Sequence, residues 1–257
     1  MSTKREGLFG VNPLLEALRS GNRDFDRVYI AVGVHSKGIE EIDDECRRRN
    51  IPIHFEKREA IDRIAGTAKH QGVFGVVSAK GYSSVEDLLD VAKKKNENPF
   101  ILILDGIEDP RNLGAIIRTA DGAGVHGIII PKHRASGITD VVAKTSAGAI
   151  EYIQVARVTN LGNTIEWLKE HGVWIYGLDM KGEKEYNNIS YTTPLAIVIG
   201  GEGRGIRESV RRICDERIRI PLFGKVSSLN VSVAAGVILY EIAQQRCKAN
   251  MSRYLLH

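Results

Sequence analysis

From Phe100 onward the sequence alternates continuous apolar runs with stretches of helical periodicity, and few folds accommodate that pattern. The runs are Ile101–Leu104, Gly127–Ile130, Tyr152–Val155, Val173–Leu178, Leu195–Ile199 and Arg217–Ile220. A strand that is apolar on both faces has to be covered on both, which is how a parallel sheet flanked by helices reads in sequence. Helical patterns fit 112–123, 140–149, 160–171 and 206–213, and a last long helix runs from about Leu229 to Gln245. The expectation is a doubly wound α/β domain over residues 100–257.

Ahead of it, residues 7–78 read as a small separate α/β unit, giving a first domain over 1–79. Its expected strands are Arg27–Ala31, Ile51–Phe55 and Val73–Ser78, with helices over 37–49 and 57–65. Asn12-Pro13 opens a further helix carrying Leu14, Leu15 and Leu18, with proline in the first turn, where a missing N–H is tolerated. Between 80 and 99 the text turns polar, with only a short helical pattern at Val85–Ala92, and a domain linker is expected there.

Several classes drop out. No apolar stretch reaches the roughly 18 residues that span a bilayer, and the start, from Met1 to Gly7, carries no apolar segment of leader length, so no membrane is expected and the location expected is the cytosol. Cys46, Cys214 and Cys247 are widely spaced, without a C-x-x-C pair, so neither a disulfide framework nor a metal site is expected. A net charge of +4, with basic clusters at Arg47-Arg48-Arg49, Lys93-Lys94-Lys95 and Lys132-His133-Arg134, tilts toward a polyanionic partner without requiring one.

Three segments place glycine, small polar or charged residues at the carboxyl end of an apolar run, where open α/β sheets bind ligands. In the first, Leu104-Asp-Gly-Ile-Glu-Asp-Pro-Arg-Asn-Leu-Gly-Ala-Ile-Ile-Arg118, Asp109-Pro110 is a helix start, and Leu113, Ile116, Ile117 and Ala120 form an apolar stripe. Asn112 and Arg118 lie off that stripe, roughly 120° apart around the axis at about 100° per residue. The second segment, Ile197-Val-Ile-Gly-Gly-Glu-Gly-Arg-Gly-Ile-Arg207, holds four glycines in the six residues 200–205. Its spacing is not G-x-G-x-x-G, which disfavours a dinucleotide site, and Glu202 could orient a ligand or pin the loop. In the third, Ile220-Pro-Leu-Phe-Gly-Lys-Val-Ser-Ser-Leu-Asn230, Ser227 and Ser228 sit where a helix cap belongs.

In this order, Asn112-Leu-Gly-Ala-Ile-Ile-Arg118, Ile199-Gly-Gly-Glu-Gly-Arg-Gly205 and Ile220–Asn230 resemble the three signature motifs of the TrmH (SpoU) family of RNA ribose 2′-O-methyltransferases, in the SPOUT superfamily. The stretch Leu8-Phe-Gly-Val-Asn-Pro-Leu-Leu-Glu-Ala-Leu18 followed by Val28-Tyr-Ile resembles the ribosomal-protein-L30e-like RNA-binding domain that precedes some of these enzymes. That arrangement is typical of the bacterial branch that modifies a guanosine of 23S rRNA. The resemblance implies a C-terminal domain with a deep trefoil knot, a homodimer, S-adenosylmethionine (AdoMet) as methyl donor without a metal, and RNA, 23S rRNA in the first place, as partner. It assigns Asn112, Arg118, Glu202, Ser228 and Asn230 to the reaction site, and the backbone around Gly200, Ile220 and Leu229 to AdoMet.

Methyl transfer to a ribose requires an in-line approach of the 2′ oxygen to the sulfonium methyl and loss of the hydroxyl proton, so alignment and proton removal are the protein's tasks. Arg118 is the residue that the resemblance nominates as base or oxygen stabiliser, although guanidinium groups rarely give up a proton and a phosphate-binding role is the alternative. The alternatives for the whole chain are a tRNA methyltransferase of the same kind and an RNA-binding ribosome assembly factor that has lost catalysis. The homodimer expectation also draws on an apolar face of the last helix with Val233, Val237, Ile238 and Tyr240.

Overall fold

The computed structural model describes residues 5–254, and Met1–Lys4, the first part of the start considered above, lie outside them. The chain opens with β1 (Arg5–Phe9), α1 (Val11–Ser20), β2 (Phe25–Ala31), α2 (Lys37–Arg48), β3 (Ile53–Glu56), α3 (Arg58–Ala65) and β4 (Val73–Ser78). Then come α4 (Val85–Lys94), β5 (Phe100–Asp105), α5 (Pro110–Gly122), β6 (Gly127–Pro131), α6 (Asp140–Thr145) and β7 (Gln154–Val158). The remainder is α7 (Leu161–Glu170), β8 (Trp174–Leu178), β9 (Lys184–Glu185), β10 (Leu195–Gly200), α8 (Glu208–Arg211), β11 (Glu216–Arg219) and α9 (Val231–Tyr254). Two compact units result: the chain up to Gly81 together with Ile138–Tyr152, and Tyr82–Gly137 together with the chain from Ile153 on.

The second unit is built on a seven-stranded sheet in the order β7-β6-β5-β10-β8-β11-β9. Every pairing in it is parallel. From β5 the chain steps outward through β6 to β7, then returns to build the other half, so β5 and β10 are neighbours at the point where winding reverses. Their ends are level, with Ile199 beside Leu104 and Gly200 beside Asp105. Ile103, Ile129, Ile165, Ile175 and Val198 are fully buried in one core with Leu88 of α4, each such side chain contributing about 1.5–3 kcal/mol.

The stretch expected as a linker therefore carries a packed helix. Ser84 and Asp87 form a reciprocal capping box at the start of α4, and Leu88 lies over Gly127 so closely that a Cβ there would come within 2.5 Å of its side chain. The two-residue strand β9, which sequence periodicity does not reveal, extends the sheet edge beside β11 through polar residues. Strand β7 starts two residues later than expected, because Ala149–Glu151 forms a 3-10 turn. Likewise α6 stops at Thr145: Ala147 at φ 52° and Gly148 at φ 91° take the chain through left-handed backbone. The cap of α9 is Asn230, whose Oδ1 accepts from Ser232 N at 2.9 Å, so the serines at 227 and 228 do not cap it. On α9, Ile238 is buried, and of the expected outer face Val233 and Tyr240 are the strongly exposed members.

His126, directly before β6, ties that strand's start to the start of β5. Its Nδ1 accepts from Phe100 N at 3.0 Å, so the neutral ring carries its proton on Nε2, which donates to Glu97 at 3.0 Å. Burial holds the imidazole below its ordinary 6.5, outweighing the opposing pull of Glu97. A lowered folded value means that the native state binds fewer protons than the unfolded chain, so this stabilisation is complete above 6.5 and is lost as pH falls through the folded value. The wild type is expected to lose thermal stability below about pH 6.5 faster than His126→Asn, whose amide oxygen can still accept from Phe100. Parallel melting curves of the two proteins across pH 7.5 to 5 would remove His126 from the acid response.

In the first unit the sheet runs β1-β4-β2-β3, with β2 and β3 parallel and the other pairs antiparallel. Strand β1, too short and polar to be read from periodicity, is held by β4 and buries Leu8. Helices α1 and α2 contribute Leu14, Leu18, Ile39, Ile42 and Cys46 to the core. Burial pushes the Cys46 thiol up to about 12, so it behaves as a small apolar side chain and not as a nucleophile.

The segment Ile138–Tyr152 completes this unit. Gly148 backs onto α1 so tightly that a Cβ would lie 2.6 Å from Glu16 Cβ. Glu151, which is buried, receives Arg23 Nε on Oε2 at 2.9 Å, and Arg23 Nη2 stands 2.8 Å from Oε1 without hydrogen-bond alignment. Arg23 also pairs with Glu6, and Asn22 Nδ2 and Lys80 Nζ donate to the Glu151 carbonyl at 2.9 and 3.1 Å.

Candidate functional site

The reversal point between β5 and β10 is where an open α/β sheet exposes a crevice at its carboxyl edge. Two loops form the walls. After β5 the chain turns at Gly106, with φ 86°, and enters α5 through Asp109, whose side chain accepts from Arg111 N at 2.7 Å, with Pro110 in the first turn. After β10 the glycine-rich loop 201–207 folds back on itself, Gly205 N donating to Gly201 O at 3.0 Å.

The two loops are braced against each other. Asp105, buried at the end of β5, accepts from Arg207 N at 2.9 Å and from Arg207 Nε at 2.7 Å, while its carbonyl receives Gly201 N at 2.9 Å. A Cβ at Gly201 would stand 2.1 Å from Gly106 O, and one at Gly200 would stand 2.0 Å from the Gly205 carbonyl carbon, so glycine is required at both for backbone to meet backbone. Between the loops lies a cavity of about 560 Å³, walled by residues that include Gly106, Glu108, Asn112, Arg134, Glu202 and Val231. That is a size suited to a small-molecule ligand.

Three of the residues singled out in the sequence meet here, one from each motif. Asn112 Nδ2 donates to Glu202 Oε1 at 3.0 Å, and Asn230 Nδ2 donates to the same oxygen at 2.8 Å and to Asn112 Oδ1 at 3.3 Å. Asn230 Oδ1 is engaged by Ser232 N and Oγ at 2.9 and 2.6 Å, which fixes the orientation of its amide at the start of α9. Glu202 Oε2 is left without a partner among the described residues, so the cluster presents one oriented carboxylate oxygen.

The other five are not brought into this cluster. Arg118 is exposed on α5, has no hydrogen-bond or ion-pair partner among the described residues, and is not part of the cavity wall. Gly200 ends β10, Ile220 follows β11 half-buried, and Ser228 and Leu229 lie on the exposed loop that leads into α9; none of the four walls the cavity.

Sequence reading missed the bracing pair Asp105–Arg207 and the cavity-lining residues His133, Arg134 and Arg204. A signal for the pair was present: an acid as the last residue of an apolar strand, which has to be neutralised where it is buried. For Arg134, the Lys132-His133-Arg134 cluster was visible, but its place at the cavity depends on which loops the sheet order brings together.

Among the described residues, no group of three or more His, Cys, Asp or Glu side chains is arranged to hold a metal ion, and no helix is long and apolar enough to cross a membrane. The SpoU rRNA methylase family matches residues 99–240, and a family described as RNA 2′-O ribose methyltransferase substrate binding matches residues 8–83. The chain is 44% identical over 246 residues to YacO of Bacillus subtilis, named as a TrmH family tRNA/rRNA methyltransferase, with 96% of this chain and 98% of that protein covered. The crystal structure of an AdoMet-bound rRNA methyltransferase from Sinorhizobium meliloti superposes with a TM-score of 0.76 at 26% identity, over 93% of this chain and 87% of the other. The SpoU methyltransferase AviRb from Streptomyces viridochromogenes shares the fold, with a TM-score of 0.80 at 24% identity and coverage of 95% and 91%.

Proposed function

Because the chain belongs to the SpoU rRNA methylase family, we propose that it transfers a methyl group from AdoMet to the 2′ oxygen of a ribose in RNA, a guanosine of 23S rRNA in the first place and a tRNA ribose as the alternative. The observation that carries this reading is the hydrogen-bonded meeting of Asn112, Glu202 and Asn230 at the edge of a cavity between β5 and β10. Residues this far apart in sequence have no structural need to meet at an exposed site. The match of the first unit to a substrate-binding family supports RNA as partner, which in turn supports a cytoplasmic location.

AdoMet supplies an electrophilic methyl group when bound. The cavity adjoins the backbone assigned to AdoMet through Gly201, the neighbour of Gly200, and Glu202 offers a carboxylate oxygen there that suits a cationic sulfonium. In this reading the backbone around Gly200, Ile220 and Leu229 holds the adenine and methionine portions. Asn112 and Asn230 fix Glu202 so that its free oxygen faces the ligand, Ser228 lines the reaction site, and Arg118 stabilises or deprotonates the ribose hydroxyl. Arg118 does not meet the three-residue cluster within one chain, so the reading includes a homodimer, with the exposed Val233 and Tyr240 of α9 as part of its face, and the trefoil knot of the family.

The test is direct. The purified protein should bind AdoMet and transfer its labelled methyl group to unmodified 23S rRNA, with the product ribose resistant to alkaline cleavage at a single nucleotide. AdoMet binding without transfer to either 23S rRNA or tRNA would replace the enzyme reading with that of an RNA-binding assembly factor.

A further inference from the structure

Two cavity-lining arginines are unused. Arg134 and Arg204 are exposed, and neither side chain has a hydrogen-bond or ion-pair partner among the described residues. Their neighbours along the chain differ: Arg207 is held by Asp105, while Arg211 and Arg212 are held by Glu208. Of the four carboxylates of the same cavity, Asp105 has a cationic partner among the described residues. Asp105 is neutralised by Arg207, Asp109 caps α5, and Glu202 accepts two amide donors, which leaves Glu108 without a partner among the described residues. Arg134 and Arg204 are therefore lining cations with no counter-charge of their own, and Glu108, Asp109 and Glu202 of the same lining likewise have no cationic partner among the described residues, with His133 beside them.

The backbone presenting Arg134 is also held in place. Ser136 N donates to Ile107 O at 2.8 Å and Lys132 N donates to Val158 O at 2.8 Å, fixing both ends of the turn. Arg134 itself takes a φ of 56°, left-handed backbone that a residue with a side chain rarely adopts. Arg204 is presented from the glycine-rich loop after β10, between Gly203 at φ 80° and Gly205 at φ 64°. Two unpaired planar cations on two braced loops suit a ligand with several anionic oxygens, and guanidinium is the side chain that best matches a phosphate.

We propose that Arg134 and Arg204 form a phosphate clamp that receives the RNA phosphodiester beside the target ribose and so positions the 2′ hydroxyl at the cavity. This rests on the methyltransferase reading above and names the part of the substrate that the second unit itself grips. These are positioning residues, acting on the backbone of the RNA and not on its bases.

The experiment compares the wild type with Arg134→Gln/Arg204→Gln and with Arg134→Lys/Arg204→Lys, using unmodified transcripts of 23S rRNA and of tRNA as probes. Affinity for each transcript is measured across 50–300 mM salt, AdoMet affinity separately, and KM and kcat wherever a transcript is methylated. Loss of two phosphate contacts to a single strand should flatten the logarithmic salt slope by about 1.4, at roughly 0.7 per contact. The glutamine pair should raise KM for RNA by about tenfold or more with AdoMet affinity and kcat near wild type, and the lysine pair should recover most of the loss. Weaker AdoMet binding with an unchanged RNA salt slope would overturn the clamp and assign the arginines to the cofactor carboxylate. Unchanged values throughout would make them solvated side chains. If the wild type binds RNA but methylates neither transcript, the catalytic reading fails, while the salt slope still decides the clamp.

Discussion

Arg118→Ala is expected to leave folding and AdoMet affinity near wild type while lowering single-turnover methylation of saturating RNA by at least about 10²-fold, the lower end for losing a positioned acid–base group. The side chain is exposed and has no partner among the described residues, so its removal leaves no buried group unsatisfied. It leaves α5 roughly 120° around the axis from Asn112, which is why one chain alone does not bring it to the Asn112–Glu202–Asn230 cluster. If the homodimer supplies it, inactive Arg118→Ala and inactive Asn112→Ala should regain activity when mixed under conditions of subunit exchange, because one of the hybrid's sites is then complete. A wild-type rate for Arg118→Ala would make this a solvated helix arginine and send the proton elsewhere.

The second large effect concerns stability. Glu151→Ala removes the carboxylate that Arg23 meets in the interior of the first unit, and breaking one side of a buried ion pair costs about 3–5 kcal/mol because the surviving charge stays desolvated. For a unit of this size that lowers the thermal midpoint by more than roughly 10 °C. High salt should rescue little, since the pair is out of reach of counterions. Replacing both partners with apolar side chains, Arg23→Met with Glu151→Leu, should return much of the loss. A deficit under about 1 kcal/mol for Glu151→Ala would show that Glu6 alone satisfies Arg23.

Legibility followed the physics of each element. Strands buried on both faces, such as β5 and β10, announce themselves by composition, and Asp109-Pro110 announces the start of α5 by capping chemistry. Polar strands do not: β1 and β9 exist because β4 and β11 offer them an edge, a tertiary cause with no local trace. The same division runs through the candidate site. Of the five residues that the resemblance assigns to the reaction site, the structure joins Asn112, Glu202 and Asn230 and leaves Arg118 and Ser228 outside the cluster. The bracing of Asp105 by Arg207, and the arrival of Arg134 at the cavity, depend on sheet order, which periodicity cannot supply. Ser227 and Ser228 show the opposite failure: they have capping chemistry, but the chain places Asn230 at the cap.

During synthesis, the packing of Ile138–Tyr152 onto the first unit has a consequence for the order of events. The Arg23–Glu151 contact closes a separation of 128 residues, so the part of the protein that leaves the ribosome first cannot finish folding until Tyr152 has emerged. Until then a nascent chain has Glu6 as the only carboxylate for Arg23 among the described residues and leaves a face of α1 uncovered. Stalled chains ending before residue 138, once clear of the exit tunnel, should be cut by protease within the first unit, and chains stalled well beyond residue 152 should resist.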